Sequence, residues 1–216
     1  RTVTGWSEVP AAEVRFRLFP LVLSELRLAL QGFHWFWFLV AIGLASAQIA
    51  APFDIARQYI LPGSMIWPLV VWSAMGTREA QYGTSQLLFS TPRPVNRQLT
   101  AMFIAGLMIS LAAVAPMLIR ATAAGMLPYA AALLSTALFV PSAALLLGTL
   151  TGSRKMFEVL YLAVWYVGSI DKLSPIDLLG TTDSSLSVAK LYLVVALSIG
   201  CLLGAAIRRR AQVYQG

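Results

Sequence analysis

Six apolar stretches alternate with short polar segments along the 216-residue chain. Most approach the roughly 20 residues that a helix needs to cross a bilayer. A lone strand would leave its backbone polar groups unsatisfied in lipid, so the stretches are predicted to be helices. The predicted spans are approximately residues 33–51, 59–76, 99–119, 129–151, 157–170 and 189–207. The predicted fold class is therefore an all-α integral membrane protein with six transmembrane helices in one domain, residues 33–207.

The fifth predicted span is short because it meets Asp171. After it, residues 173–186 contain Ile176, Leu178 and Leu179 behind Pro175. This pattern leaves two interpretations open: an external loop, or a segment that dips back into the membrane.

The composition agrees with a membrane protein. The chain is 58% hydrophobic and 12% charged, with a mean hydropathy of +0.75, whereas soluble domains carry roughly 25% charged residues. The single cysteine, Cys201, excludes a disulfide framework and a cysteine-based metal site. The net charge of +7 sits between apolar runs, where membrane topology and lipid head groups explain it better than nucleic acid does.

The distribution of lysine and arginine predicts the orientation, because cytosolic loops are enriched in them. With a cytosolic N-terminus, the basic residues on the cytosolic side are Arg1, Arg15, Arg17, Arg27, Arg78, Arg93, Arg97, Arg154, Lys155, Arg208, Arg209 and Arg210. The other side receives Arg57, Arg120, Lys172 and Lys190. We therefore expect a multi-pass protein of the cell (inner or plasma) membrane with both termini cytosolic, residues 208–216 forming a basic tail.

The N-terminal segment, residues 1–32, is predicted to be cytosolic and to contain an amphipathic interfacial helix over residues 16–31. Pro20 suits the first turn of such a helix, and Gly32 ends it. His34 and Trp37 bound an aromatic belt at the membrane surface. The alternative is a simple cytosolic extension of the first span. The chain begins with Arg1, which leaves open whether an N-terminal half is missing.

Familiar catalytic motifs are absent from the sequence. There is no phosphate-binding Gly-x-x-x-x-Gly-Lys-Ser/Thr loop, and the one histidine, His34, lies in the aromatic belt. Glu158 is the carboxylate expected within a span, and it is predicted to pair with Arg154 and Lys155 at helical spacing. No catalytic residue, metal ligand or cofactor is therefore predicted in this chain.

The polar loop of residues 77–98 is the most informative segment. The second span is predicted to continue as a helix past Gly76 as far as Gly83. Thr84 can cap a short helix over residues 85–90, which the prolines after it end. Its apolar residues, Leu87, Leu88 and Phe89, either bind a cytosolic partner or dip into the head-group layer.

This loop resembles that of the permease subunits of ABC-2 type transporters. The resemblance covers about 25 residues. It is carried by a span ending in Met75-Gly76-Thr77-Arg78-Glu79, then Tyr82-Gly83-Thr84, Leu87-Leu88, Ser90-Thr91-Pro92 and Arg97-Gln98-Leu99. The likeness in architecture extends to nearly the whole chain. It includes the amphipathic interfacial helix, called the elbow helix in this family, the six spans, and an irregular external segment before the last span. It implies a permease that couples ATP hydrolysis by a separate subunit to translocation of a substrate, with export expected.

The resemblance also implies particular sites and partners. A coupling helix would bind a separate ATP-binding cassette subunit, which would hold ATP and Mg²⁺, through Arg78, Glu79, Tyr82, Thr84, Leu87, Leu88, Phe89 and Ser90. A second cytosolic contact would comprise Ser153, Arg154, Lys155 and Glu158. The other implied partners are a second permease copy or homologous half and membrane lipids.

The mechanism expected from these features is mechanical. A rigid link through Gly76 to Tyr82 would transmit a push on the short helix to the second span, which Pro62, Gly63 and Pro68 allow to bend. Small residues predicted to permit close helix contact are Gly43, Ala47, Gly106, Ser110, Gly148, Gly200 and Gly204.

Three other functions remain open at this stage. The first is a non-transporting membrane scaffold or immunity-type protein that docks a cytosolic partner through the same loop. The others are a membrane-embedded enzyme and an ion channel or secondary carrier; the missing catalytic constellation and the few ionisable groups in the spans speak against these two.

Overall fold

The computed structural model describes residues 18–77, 94–170, 177–181 and 187–215. All regular secondary structure within these ranges is helical. The first helices are α1 (Leu18–Leu30), α2 (Trp35–Ala50), α3 (Phe53–Ile55), α4 (Leu61–Ile66) and α5 (Leu69–Ser73), with a π-helical turn (Ala56–Ile60) between α3 and α4. The later ones are α6 (Pro94–Ala123), α7 (Leu127–Thr151), α8 (Arg154–Trp165), continued by a second π-helical turn (Tyr166–Ile170), and α9 (Val188–Gln215).

Within the described residues, three helices are long and apolar enough to cross a membrane: α6, α7 and α9. They correspond to the predicted spans 99–119, 129–151 and 189–207. The bent pair of α1 and α2 would add a fourth if it were counted as one span. The other predicted spans are helical but shorter or interrupted. Helix α2 has 16 residues, or about 24 Å, and the second predicted span is broken into α4 and α5. These helices support the prediction of an all-helical membrane protein.

A helix, α1, is present where the interfacial helix was predicted, and Gly32 ends it in a turn with φ +95°. The axes of α1 and α2 differ by 103°, so α1 lies across the bundle rather than extending the first span. Its side chains of Val22 and Glu25 are buried, and it packs against α6. Helix α2 begins after His34, whose Nδ1 accepts a hydrogen bond from the Phe36 N–H at 3.5 Å.

Aromatic rings tie α2 to the broken second segment, residues 53–73. The Trp37 and Trp67 rings stack with their centroids 6.1 Å apart, and Trp67 Nε1 donates to the Trp37 carbonyl at 3.2 Å. The predicted bend is confirmed at Pro68, where a turn separates α4 from α5. Proline explains this break because it lacks the N–H that would continue the helix.

The core lies between α6, α7, α9 and the broken segment. Helix α7 packs most extensively against α9 and next against α6, and over half of its apolar window is buried within the chain. Helix α8 lies alongside α4, where Tyr161 Oη donates to the Met65 carbonyl at 2.9 Å and Trp165 Nε1 to the Pro62 carbonyl at 2.9 Å. The short helices of the second segment are thus held by side-chain hydrogen bonds in addition to packing.

Candidate coupling site at the root of the loop

The residues predicted to form the coupling helix (Arg78, Glu79, Tyr82, Thr84, Leu87, Leu88, Phe89 and Ser90) lie outside the described part of the chain. What the structure does place is the point where the second segment enters this loop. We call Met75, Gly76 and Thr77 the loop root. All three are buried, with Thr77 fully inaccessible to solvent.

The loop root is wedged between α6 and α7. A Cβ atom added to Gly148 of α7 would lie 2.2 Å from the Met75 carbonyl oxygen. A Cβ added to Gly106 of α6 would lie 2.5 Å from the end of the Met75 side chain. Glycine is therefore required at position 148, where the obstacle is backbone, and it is favoured at position 106, where the obstacle is a flexible side chain.

Gly76 shows that one sequence prediction was wrong. The second span does not continue as a helix through Gly76, because α5 ends at Ser73 and Gly76 has φ +74° in the left-handed region. A Cβ at Gly76 would lie 3.1 Å from the Leu145 carbonyl oxygen and 3.2 Å from the Thr149 nitrogen. The chain turns here because its backbone packs directly on α7, so any rigid link passes through a tight turn and not through a helix.

Three other glycines that were predicted to permit close helix contact differ in outcome. At Gly204 an added Cβ would come within 2.9 Å of the Leu146 side chain, which confirms close packing of α9 on α7. At Gly43 and Gly200 an added Cβ would meet no atom within 4 Å. These two glycines therefore do not serve helix contacts within the described chain.

The elbow helix reaches the loop root. Glu25 and Ala29 of α1 line a small gap together with Met75, Met102 and Gly106. The Trp72 indole, one turn before the root, is fully buried and directs its N–H at the Gly106 carbonyl at 3.4 Å. Helices α1, α5 and α6 therefore meet at the base of the loop.

The second cytosolic contact predicted from the sequence is a tight turn beside this site. Helix α7 ends at Gly152, which has φ +62°, and Ser153 caps α8 by accepting the Lys155 N–H at 3.4 Å. Lys155 is exposed, whereas Arg154 is half-buried and lines a groove with Leu28 of α1 and Ala74. Among the described residues Glu158 forms no ion pair with either cation, so the predicted pairing is not seen.

A second polar cluster, at the opposite end of the bundle, was not predicted from the sequence. Residues 177–181 are largely buried and return against the helices. The first residue of this segment, Asp177, is 1% exposed, and Arg57 of the first π-helical turn is 6% exposed. Only Glu158 had been considered as an intramembrane carboxylate. One signal in the sequence could have indicated this cluster: Arg57 and Lys190 are two of only four basic residues assigned to the non-cytosolic side.

Metal chemistry has no candidate in the described ranges, which contain no group of three His, Cys, Asp or Glu side chains able to hold an ion. Comparisons with protein-family models, curated proteins and solved structures return no match to this chain. The fold itself defines the chain as an all-helical membrane protein.

Proposed function

We propose that this chain is the membrane-spanning permease subunit of an ABC-2 type transporter, which couples ATP hydrolysis by a separate ATP-binding cassette subunit to export of a substrate. The proposal includes six spans, with α2, residues 53–73 and the stretch 154–170 as the shorter crossings. It also places both termini in the cytosol of a cell-membrane protein. The ATP-binding subunit, a second permease copy or homologous half, and membrane lipids are the proposed partners.

The observation that carries the proposal is the burial of the loop root. A loop that merely touches lipid head groups needs no contact with the core. Here the last residues before the loop approach the α7 backbone so closely that Gly148 admits no side chain. Protein interiors are close-packed and transmit displacement rather than absorb it, so a force on residues 77–98 would reach α6 and α7 directly.

The broken second segment supports the same mechanism. The turn at Trp67–Pro68 is a place where α4 and α5 can change their relative angle, and the first π-helical turn is a place where α3 and α4 can do so. The proposed coupling helix would push the loop root, α5 would move against α6 and α7, and the break at Pro68 would limit how far the movement disturbs α2. The exposed Lys155 and the helix-capping Ser153 lie near the loop root and form the second proposed contact with the ATP-binding subunit.

The proposal is tested by purifying the chain from the cells that make it and asking whether an ATP-binding cassette protein co-purifies. We expect the chain alone to hydrolyse no ATP and to bind that protein through Leu87 and Leu88. Replacing both leucines with Asp should abolish the association, because two carboxylates cannot enter an apolar groove without a large desolvation cost. The matched control is Leu127→Asp together with Val188→Asp, two exposed apolar residues at the first positions of α7 and α9.

Unchanged association after the Leu87 and Leu88 replacements would contradict the coupling assignment. Reconstituted vesicles then separate transport from scaffolding. A transporter shows solute movement that depends on nucleotide, whereas a non-transporting scaffold binds the same partner without flux.

A further inference from the structure

The buried polar cluster at the end of the bundle opposite the loop has an unusual division of roles. Three helical elements contribute hydrogen-bond donors, and residues 177–181, which we call the pinned segment, contribute the acceptors. Arg57 Nε donates to the Gly180 carbonyl at 2.6 Å. Thr136 of α7 donates to the Leu178 carbonyl, and Lys190 of α9 donates to the Asp177 carbonyl.

Further contacts enclose the cluster. The Arg57 guanidinium carbon lies 4.8 Å from the centre of the Tyr129 ring. Asp177 Oδ2 accepts the Thr181 hydroxyl at 2.8 Å. The Tyr129 hydroxyl is buried and has no hydrogen-bond partner in the described part of the chain. The helices therefore supply two cations and two hydroxyls, one of which is an unsatisfied donor.

The local backbone is also irregular where Arg57 is held. It lies in a π-helical turn, a feature found frequently at functional sites, and ionisable side chains within membrane segments are costly and usually mark a functional site. A buried cation whose acceptor leaves must find another one. Any state in which the pinned segment moves away therefore requires a replacement that carries negative charge and several acceptor atoms.

A cavity beside the cluster indicates the shape of that replacement. It has a volume of about 140 Å³ and lies between α7, α9 and the pinned segment. Lys190, Ser135, Ser187 and the Asp177 carboxylate form its polar part, and its walls include Ala132, Leu191 and Val194. A donor-rich polar end next to an apolar cleft suits an amphiphile better than a small free anion.

We propose that this cluster is a binding site for a phosphate-bearing amphiphile, with Arg57, Lys190, Thr136 and Tyr129 binding the phosphate group and the apolar cavity receiving part of the tail. The pinned segment occupies the site as an internal substitute, its carbonyls and the Asp177 carboxylate standing in for phosphate oxygens. The identification of this amphiphile as the exported substrate rests on the proposed transport function. Binding itself does not.

The test is calorimetric titration of the detergent-solubilised full chain, without any ATP-binding protein, with dihexanoyl phosphatidic acid in an uncharged detergent. We expect saturable binding that Arg57→Gln and Lys190→Gln each weaken about tenfold, as expected for loss of a charge-assisted hydrogen bond. Asp177→Asn should tighten binding severalfold, because it removes the carboxylate that competes with the ligand. Arg208→Gln, which removes a positive charge from an exposed position towards the other end of α9, should leave the affinity unchanged.

Several results would overturn the proposal. Equal affinity for dihexanoyl phosphatidylcholine would exclude recognition of an anion, and competition by inorganic phosphate at equal concentration would indicate a free-anion site. If Arg57→Gln does not fold, Asp177→Asn still tests the proposal. Tighter binding of the ligand would support it, and unchanged binding would show that the carboxylate does not compete with the ligand and would contradict it. Because the assay uses the chain alone, a negative result leaves docking of the ATP-binding protein untouched, and failed docking leaves this site untouched.

Discussion

The contact between Gly148 and the loop root allows a quantitative prediction. A methyl group at position 148 would lie 2.2 Å from the Met75 carbonyl oxygen, so α7 and the loop root must separate by roughly an ångström to restore a normal contact. Overpacking of this kind costs about 1–3 kcal/mol. Against it stands the gain of about 0.5–1 kcal/mol from replacing glycine by alanine within a helix. The two ranges together predict that Gly148→Ala loses up to about 2.5 kcal/mol of unfolding free energy, with a central value of about 1 kcal/mol.

The matched control is Gly200→Ala in α9, where the added methyl group meets no atom within 4 Å. This variant gains the stability that alanine has over glycine within a helix and meets no steric clash, so it should be more stable than wild type by about 0.5–1 kcal/mol. Thermal unfolding in detergent measures both, at about 2–4 °C per kcal/mol for a chain of this length. The two variants should shift the midpoint in opposite directions. If Gly148→Ala unfolds at the same temperature as Gly200→Ala, the loop root does not pack on α7 as described.

Three further substitutions test individual contacts by the same unfolding assay. Tyr161→Phe removes the hydrogen bond to the Met65 carbonyl and should cost about 1 kcal/mol; no loss would mean that α8 is not bonded to α4. Tyr129→Phe removes a buried hydroxyl without a partner among the described residues and should leave stability unchanged or raised, whereas a clear loss would reveal a bond. Gly152→Ala forces a side chain into left-handed backbone at φ +62° and should cost about 1–2 kcal/mol; a neutral result would show that the turn rearranges.

The sequence was sufficient to predict elements that depend on local composition. Helices α6, α7 and α9 follow from long apolar runs, because only helices satisfy the backbone in lipid. The elbow helix follows from an amphipathic stripe ended by Gly32, and the break in the second segment follows from Pro68. Each of these signals lies within a few residues of the feature that it predicts.

Features that depend on distant residues were missed. Gly76 was expected to continue a helix because its neighbours favour one, but its backbone packs on α7, about 70 residues away in the chain. Asp177 is buried because Arg57, Thr136 and Lys190 converge on residues 177–181 from three elements. No local pattern records such a convergence. The coupling-helix residues remain predictions, since they lie outside the described ranges.

The most direct test of the central claim is site-specific photo-crosslinking in cells. A photoreactive amino acid at Leu88 should crosslink to an ATP-binding cassette protein, identified by mass spectrometry, in a band that is lost when the gene for that protein is deleted. The same group at Leu127, an exposed position at the other end of α7, should give no such band. We expect the crosslink at Leu88 and not at Leu127. Its absence at Leu88, or labelling of this position by a reagent applied outside the cell, would contradict the claim that this loop transmits the work of a partner ATPase.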